Sequence, residues 1–115
     1  MRNHSKGTYL AHILFLAAAT VALLFPFVDK AFHIDDTLFL WTARQIVERP
    51  WDFYGFQGNW DGALSPATAI IKNPPVADYY MALVGWFGGF SEKTLHLAFM
   101  FPAVMAIWGA YSLAR

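Results

Sequence analysis

Six of the eight acidic residues fall between positions 29 and 74: Asp29, Asp35, Asp36, Glu48, Asp52 and Asp61. Two of them are adjacent, and Asp35-Asp36 opens a stretch of helical character. A carboxylate held just outside a bilayer can take a proton from a hydroxyl or ligate a divalent cation, and both readings stay open here. The position also suits a structural role, with Asp35 accepting a backbone N–H two or three residues on as a helix cap. Adjacent aspartates point in different directions on a helix, so one is free to react while the other caps. Lys72, shortly before Pro74-Pro75, is a compact positive charge suited to phosphate. A lysine anchoring a helix by snorkelling at a membrane edge looks the same in sequence. Residues 51–62 are rich in aromatics, which stack on a sugar ring or sit as an ordinary interfacial belt. His4, His12, His33 and His96 show no ligand spacing, so no dedicated metal cage is expected. The absence of cysteine excludes a disulfide scaffold, thiolate zinc sites and thiol catalysis.

The elements that position these residues follow from composition and run lengths. The chain has 115 residues, 57% of them apolar and 14% charged. Soluble domains carry about 25% charged residues, so the expectation is an integral membrane protein. Eight basic residues balance eight acidic ones, leaving no surplus to neutralise phosphates, and nucleic acid is not an expected partner. Residues 9–28 are apolar at 17 of 20 positions and carry no Asp, Glu, Lys or Arg. Twenty helical residues cover a bilayer core of about 30 Å. Residues 94–113, apolar at 15 of 20 positions, form a second run, with Pro102 expected to bend it. Residues 75–90 are expected to span as well, joined to the last run by the polar turn Ser91-Glu92-Lys93 as an antiparallel hairpin, although the charge-free part is short enough to be re-entrant.

The fold expectation is therefore all-α, with three transmembrane helices (about 9–28, 75–90 and 94–113) and a long extracytoplasmic loop, 29–74, carrying an amphipathic juxtamembrane helix. That helix begins at Asp35-Asp36, where acids favour the dipole, and stops at Pro50. Phe39, Ala43, Ile46 and Val47 line one stripe, which would lie along the membrane surface. In the aromatic loop, Gly58-Asn59 and Asp61-Gly62 read as turns. Charge does not orient the chain: Arg2 and Lys6 at one end of the first span face Lys30 and Arg44 at the other.

Taken together, the first span, Phe32-His33-Ile34-Asp35-Asp36 with its helix, Lys72-Asn73-Pro74-Pro75, Tyr79-Tyr80 and Gly88-Gly89-Phe90-Ser91-Glu92 resemble the amino-terminal part of a family 39 glycosyltransferase. That family has the GT-C superfold and includes protein O-mannosyltransferases and lipid A aminoarabinose transferases. The resemblance covers roughly residues 9–115, the first quarter or so of a typical member. It implies a multi-pass enzyme of the cell (inner) membrane that transfers sugar from a polyprenyl-phosphate donor to a hydroxyl of an acceptor glycan, lipid or protein. It implies Met1 and the Ser91–Lys93 turn in the cytoplasm and the acidic loop outside. The key aspartate of the family maps onto Asp35; Asp36 stands where many members have glutamate. Substrate contacts fall to Lys72 and Tyr79, with the lysine one place earlier than in the aminoarabinose transferases. No cofactor is fixed, and a divalent metal remains compatible with the aspartates. Three spans are too few for the family's cavity, so the expectation is a truncated product, inactive alone. The rival readings are a small non-catalytic multi-pass subunit, which needs no carboxylate, and a lipid-sugar transporter, which would place ionisable groups within its spans.

Overall fold

The computed structural model describes the backbone over residues 2–114 and side chains over residues 6–114. It is mostly helical, and its elements run α1 (Arg2–Leu24), a 3₁₀ turn (Phe25–Phe27), α2 (Asp36–Glu48), β1 (Gln57–Asn59), β2 (Leu64–Pro66), α3 (Ala67–Ile70), α4 (Val76–Gly88) and α5 (Glu92–Leu113). The chain divides into two units, Met1–Lys30 with His96–Arg115, and Ala31–Leu95.

In the first unit the apolar runs form helices of spanning length, Lys6–Phe27 and Glu92–Leu113, each 22 residues. At 1.5 Å per residue, each reaches about 33 Å. The apolar window of α1 is not buried by the rest of the chain, and Leu10, Leu14, Phe15 and Leu23 all face outward. α5 continues through Pro102 without a break. The two helices are antiparallel. Near one end the Tyr9 hydroxyl lies 2.9 Å from Ser112 Oγ and accepts the Trp108 indole N–H at 2.9 Å. Near the other, His96 Nδ1 lies 3.0 Å from the Val28 carbonyl.

This pairing does not show the expected three-span topology. With three spans, α1 and α5 would run parallel and the Ser91–Lys93 turn would share a side with Met1, which itself lies outside the described residues. Instead the start of α5 lies at the end of α1 that leads into the second unit. Residues 75–90 supply only α4, 13 residues long, or about 20 Å against a core of about 30 Å. Among the described residues two helices have spanning length, and a third span is not shown.

In the second unit α4 packs along α2 and closes a core of Leu40, Ala43, Ile46, Met81, Ala82 and Leu95, flanked by Phe39, Phe53 and Phe90. The helices run antiparallel, since Tyr79, in the first turn of α4, donates its hydroxyl to the carbonyl of Pro50, just past the end of α2. The stripe expected to lie on lipid is thus largely used against α4: Ala43 and Ile46 are buried there, and only Val47 stays exposed. α2 stops where Arg49 turns extended before Pro50, as the proline ring requires of its predecessor. α4 stops at Gly89, whose φ of +82° suits glycine. The Phe90 ring then covers Gly85, where a Cβ would come within 2.3 Å of it. Ser91 Oγ accepts the Thr94 N–H at 3.2 Å and caps α5.

The aromatic loop departs from the all-α expectation. β1 and β2 pair antiparallel, with Gly58 opposite Ser65, around a turn in which Gly62 has φ +87°. Asp61-Gly62 turns as expected, whereas Gly58-Asn59 lies in a strand. Glycine is needed at 58, because a Cβ there would come 3.0 Å from the Trp41 ring of α2.

Candidate functional site

The acidic pair sits at the start of α2, and the two carboxylates differ in environment. Asp36 Oδ2 accepts the His33 backbone N–H at 2.7 Å, while the Asp36 N–H donates to the His33 carbonyl at 2.7 Å. Thr37 Oγ1 donates to the Ile34 carbonyl at 2.7 Å, tightening the same turn. Asp36 therefore does the local structural work, fixing the entry to the helix. Asp35 occupies the N-cap position without a side-chain cap bond, and its side chain is exposed. The capping role expected for Asp35 falls to its neighbour in a different form, and Asp35 keeps both oxygens available to an incoming hydroxyl or cation.

Lys72 points its ammonium back one turn, donating to the Thr68 carbonyl at 3.1 Å. It makes no ion pair with Asp35 or Asp36. The Tyr79 hydroxyl is taken by Pro50, and its ring meets Phe53 edge-on at 6.1 Å. Tyr54 donates to the carbonyl of Asn73, tying the double-proline segment to the chain just beyond α2. Tyr79 is therefore near one end of α2 and the acidic pair at the other, about 18 Å apart along the helix axis at 1.5 Å per residue. Tyr79 and the acidic pair are therefore not brought together. Among the described residues, no group of three or more His, Cys, Asp or Glu side chains converges to hold an ion.

Two features are not among the expected site residues. Asp78 is fully buried at 0% exposure on the face of α4 that carries Met81, Ala82 and Gly85. Among the described residues neither of its carboxyl oxygens has a hydrogen-bond partner. Burial pushes its carboxyl up to about 6. The Tyr54 phenol is likewise raised, first by burial and then by the charge of Asp78. The sequence signal for this feature is an ionisable residue inside the otherwise apolar stretch 76–87.

The second feature is a cleft of about 410 Å³ between α2 and the β1–β2 hairpin, lined by Trp41, Arg44, Gln45, Glu48, Gln57 and Asn59 among others. The helical half is legible as a polar and aromatic stripe at positions 41, 44, 45 and 48, the i, i+3, i+4, i+7 spacing of one face. A separate groove, about 330 Å³ and mostly apolar, runs between α2 and α4 past Ile46, Pro50, Tyr79 and Trp86.

No protein-family model, curated protein or solved structure matches this chain.

Proposed function

We propose that the chain is part of a membrane glycosyltransferase of the family 39 type, in which Asp35 is the general base. The observation that carries this reading is the division of labour at the start of α2. Asp36 is engaged by the His33 N–H, and Asp35 is left exposed and uncapped at the same turn. In the proposed reaction Asp35 takes the proton of an acceptor hydroxyl as that oxygen attacks the anomeric carbon of a polyprenyl-phosphate sugar. The bond from the anomeric carbon to the phosphate oxygen breaks, its electron pair leaves on the phosphate, and configuration inverts. Lys72 stabilises the departing phosphate once its ammonium exchanges the Thr68 carbonyl for that anion. Tyr79, whose hydroxyl is held by Pro50 at the far end of α2, takes no part in this step.

The proposed topology has α1 and α5 crossing the inner membrane as an antiparallel pair, with the chain amino terminus in the cytoplasm. The whole of residues 31–95 then lies on the extracytoplasmic side, α4 included. The burial of α4 against α2 and its length of 13 residues support this placement.

The test is Asp35→Asn introduced at the chromosomal locus, with incorporation of radiolabelled sugar from a polyprenyl-phosphate donor as the readout. Loss of a general base costs about 10²- to 10⁴-fold, so transfer is expected to fall at least a hundredfold. Transfer unchanged by Asp35→Asn would instead leave the chain as a non-catalytic subunit.

A further inference from the structure

The cleft between α2 and the β1–β2 hairpin has the chemistry of a site for a neutral, polyhydroxylated ring. Its wall is Trp41, half-buried and held in one orientation: it meets Trp60 edge-on at 6.4 Å and leans over Gly58, where a side chain would collide with it. A flat indole so fixed offers an apolar face to the C–H groups of a pyranose at little entropic cost. The polar groups around it are open. Gln45 donates Nε2 to the Asp52 carbonyl at 3.0 Å, which leaves its side-chain oxygen as an acceptor. Glu48, Gln57 and Asn59 are exposed, and their side chains have no protein partner among the described residues. The Arg44 guanidinium is braced 5.6 Å over the Phe90 ring. Donors and acceptors of both kinds thus converge on one face, which is what vicinal hydroxyls require.

Charge and desolvation narrow the ligand. Glu48 offsets Arg44, so the cleft does not favour an anion such as phosphate. An apolar chain would strip water from the carboxylate and amides without replacing their hydrogen bonds. The volume of about 410 Å³ lies in the lower part of the range for ligand pockets.

We propose that this cleft binds a saccharide ring and so selects a glycan, not a protein or lipid hydroxyl, as the acceptor. The acceptor role rests on the glycosyltransferase reading; the binding itself does not. Trp41 stacks on the ring, and Glu48, Gln57 and Asn59 hold its hydroxyls. The cleft starts on α2 about 9 Å along the axis from Asp35, six residues at 1.5 Å each.

The experiment uses the full chain in lipid nanodiscs and saturation-transfer-difference NMR with three probes: methyl α-mannopyranoside, methyl α-glucopyranoside and N-acetylglucosamine. At least one is expected to receive saturation. Gln57→Ala, on an exposed strand position, and Glu48→Gln are expected to weaken its binding severalfold, and Trp41→Ala at least tenfold. Trp41→Phe keeps an aromatic face and is expected to retain most of the binding, which separates loss of stacking from loss of fold. Absence of transfer to all three probes, or binding unchanged in both Trp41→Ala and Gln57→Ala, overturns the proposal. The two proposals fail separately. Asp35→Asn is expected to leave saccharide binding intact, so no binding alongside Asp35-dependent sugar transfer sinks the cleft alone. Binding alongside Asp35-independent transfer sinks the catalytic reading alone.

Discussion

Replacing Asp78 with asparagine is expected to stabilise the second unit at neutral pH and to flatten its pH dependence. The carboxyl is fully buried, without a hydrogen-bond partner among the described residues, and its pKa rises from 3.8 in the free side chain to about 6. A tenfold change in proton affinity corresponds to about 1.36 kcal/mol, so ionised Asp78 costs the folded state about 3 kcal/mol above pH 7. The native state binds the extra proton in the window between the two pKa values. Stability therefore falls as pH rises from about 4 through about 6, and levels off above that. Asparagine keeps the shape of the protonated acid and carries no charge at any pH. Asp78→Asn should match the natural chain near pH 4 and exceed it by about 2 to 3 kcal/mol at pH 7.5. The measurement is denaturant unfolding in nanodiscs at a series of pH values, followed by tryptophan fluorescence, since Trp41, Trp60 and Trp86 all belong to this unit. Equal pH slopes for the two proteins between pH 4 and 7, or a less stable variant at pH 7.5, would refute the reasoning.

Three further outcomes follow from the packing. Gly85→Ala forces a Cβ into the Phe90 ring and is expected to cost about 1 to 3 kcal/mol by overpacking, readable in the same unfolding assay; a neutral result would mean the ring moves aside freely. Asp36→Ala removes the acceptor of the His33 N–H and should lower stability by about 1 kcal/mol, whereas Asp35→Ala, which loses no cap bond, should change it by less than about 0.5 kcal/mol. The reverse order would assign the structural role to Asp35. Tyr79→Phe frees the Pro50 carbonyl at a cost of about 1 kcal/mol and should leave sugar transfer intact; loss of transfer without loss of stability would restore a substrate role for the hydroxyl.

How far the sequence can be read differs from element to element for physical reasons. α1 and α5 are plain, because long charge-free apolar runs have few other fates. α2 is bounded by Asp35-Asp36 and Pro50, which act locally. α4 is bracketed by Pro75 and Gly89, yet its role is not legible: a short apolar helix suits a membrane and a partner helix equally well. Its packing against α2 and the antiparallel pairing of α5 with α1 bear on it, and both are long-range facts. The same limit applies to the site. Both aspartates stand at the helix start, and only the fold of the preceding turn, which aims the His33 N–H at Asp36, separates them. The helical stripe of the cleft is visible in sequence, but its opposite wall is hidden because Gly58-Asn59 has turn chemistry and yet pairs as a strand with β2.

The proposed chemistry requires residues 31–95 to stand together on the outer face of the membrane. The chain contains no cysteine, so single substitutions report one position each. Ile34→Cys and Lys93→Cys should both react with a membrane-impermeant maleimide in intact cells, and Thr8→Cys should react only after permeabilisation. Labelling of Ile34→Cys with protection of Lys93→Cys would restore a third span, and protection of both would put the acidic pair on the wrong side of the membrane.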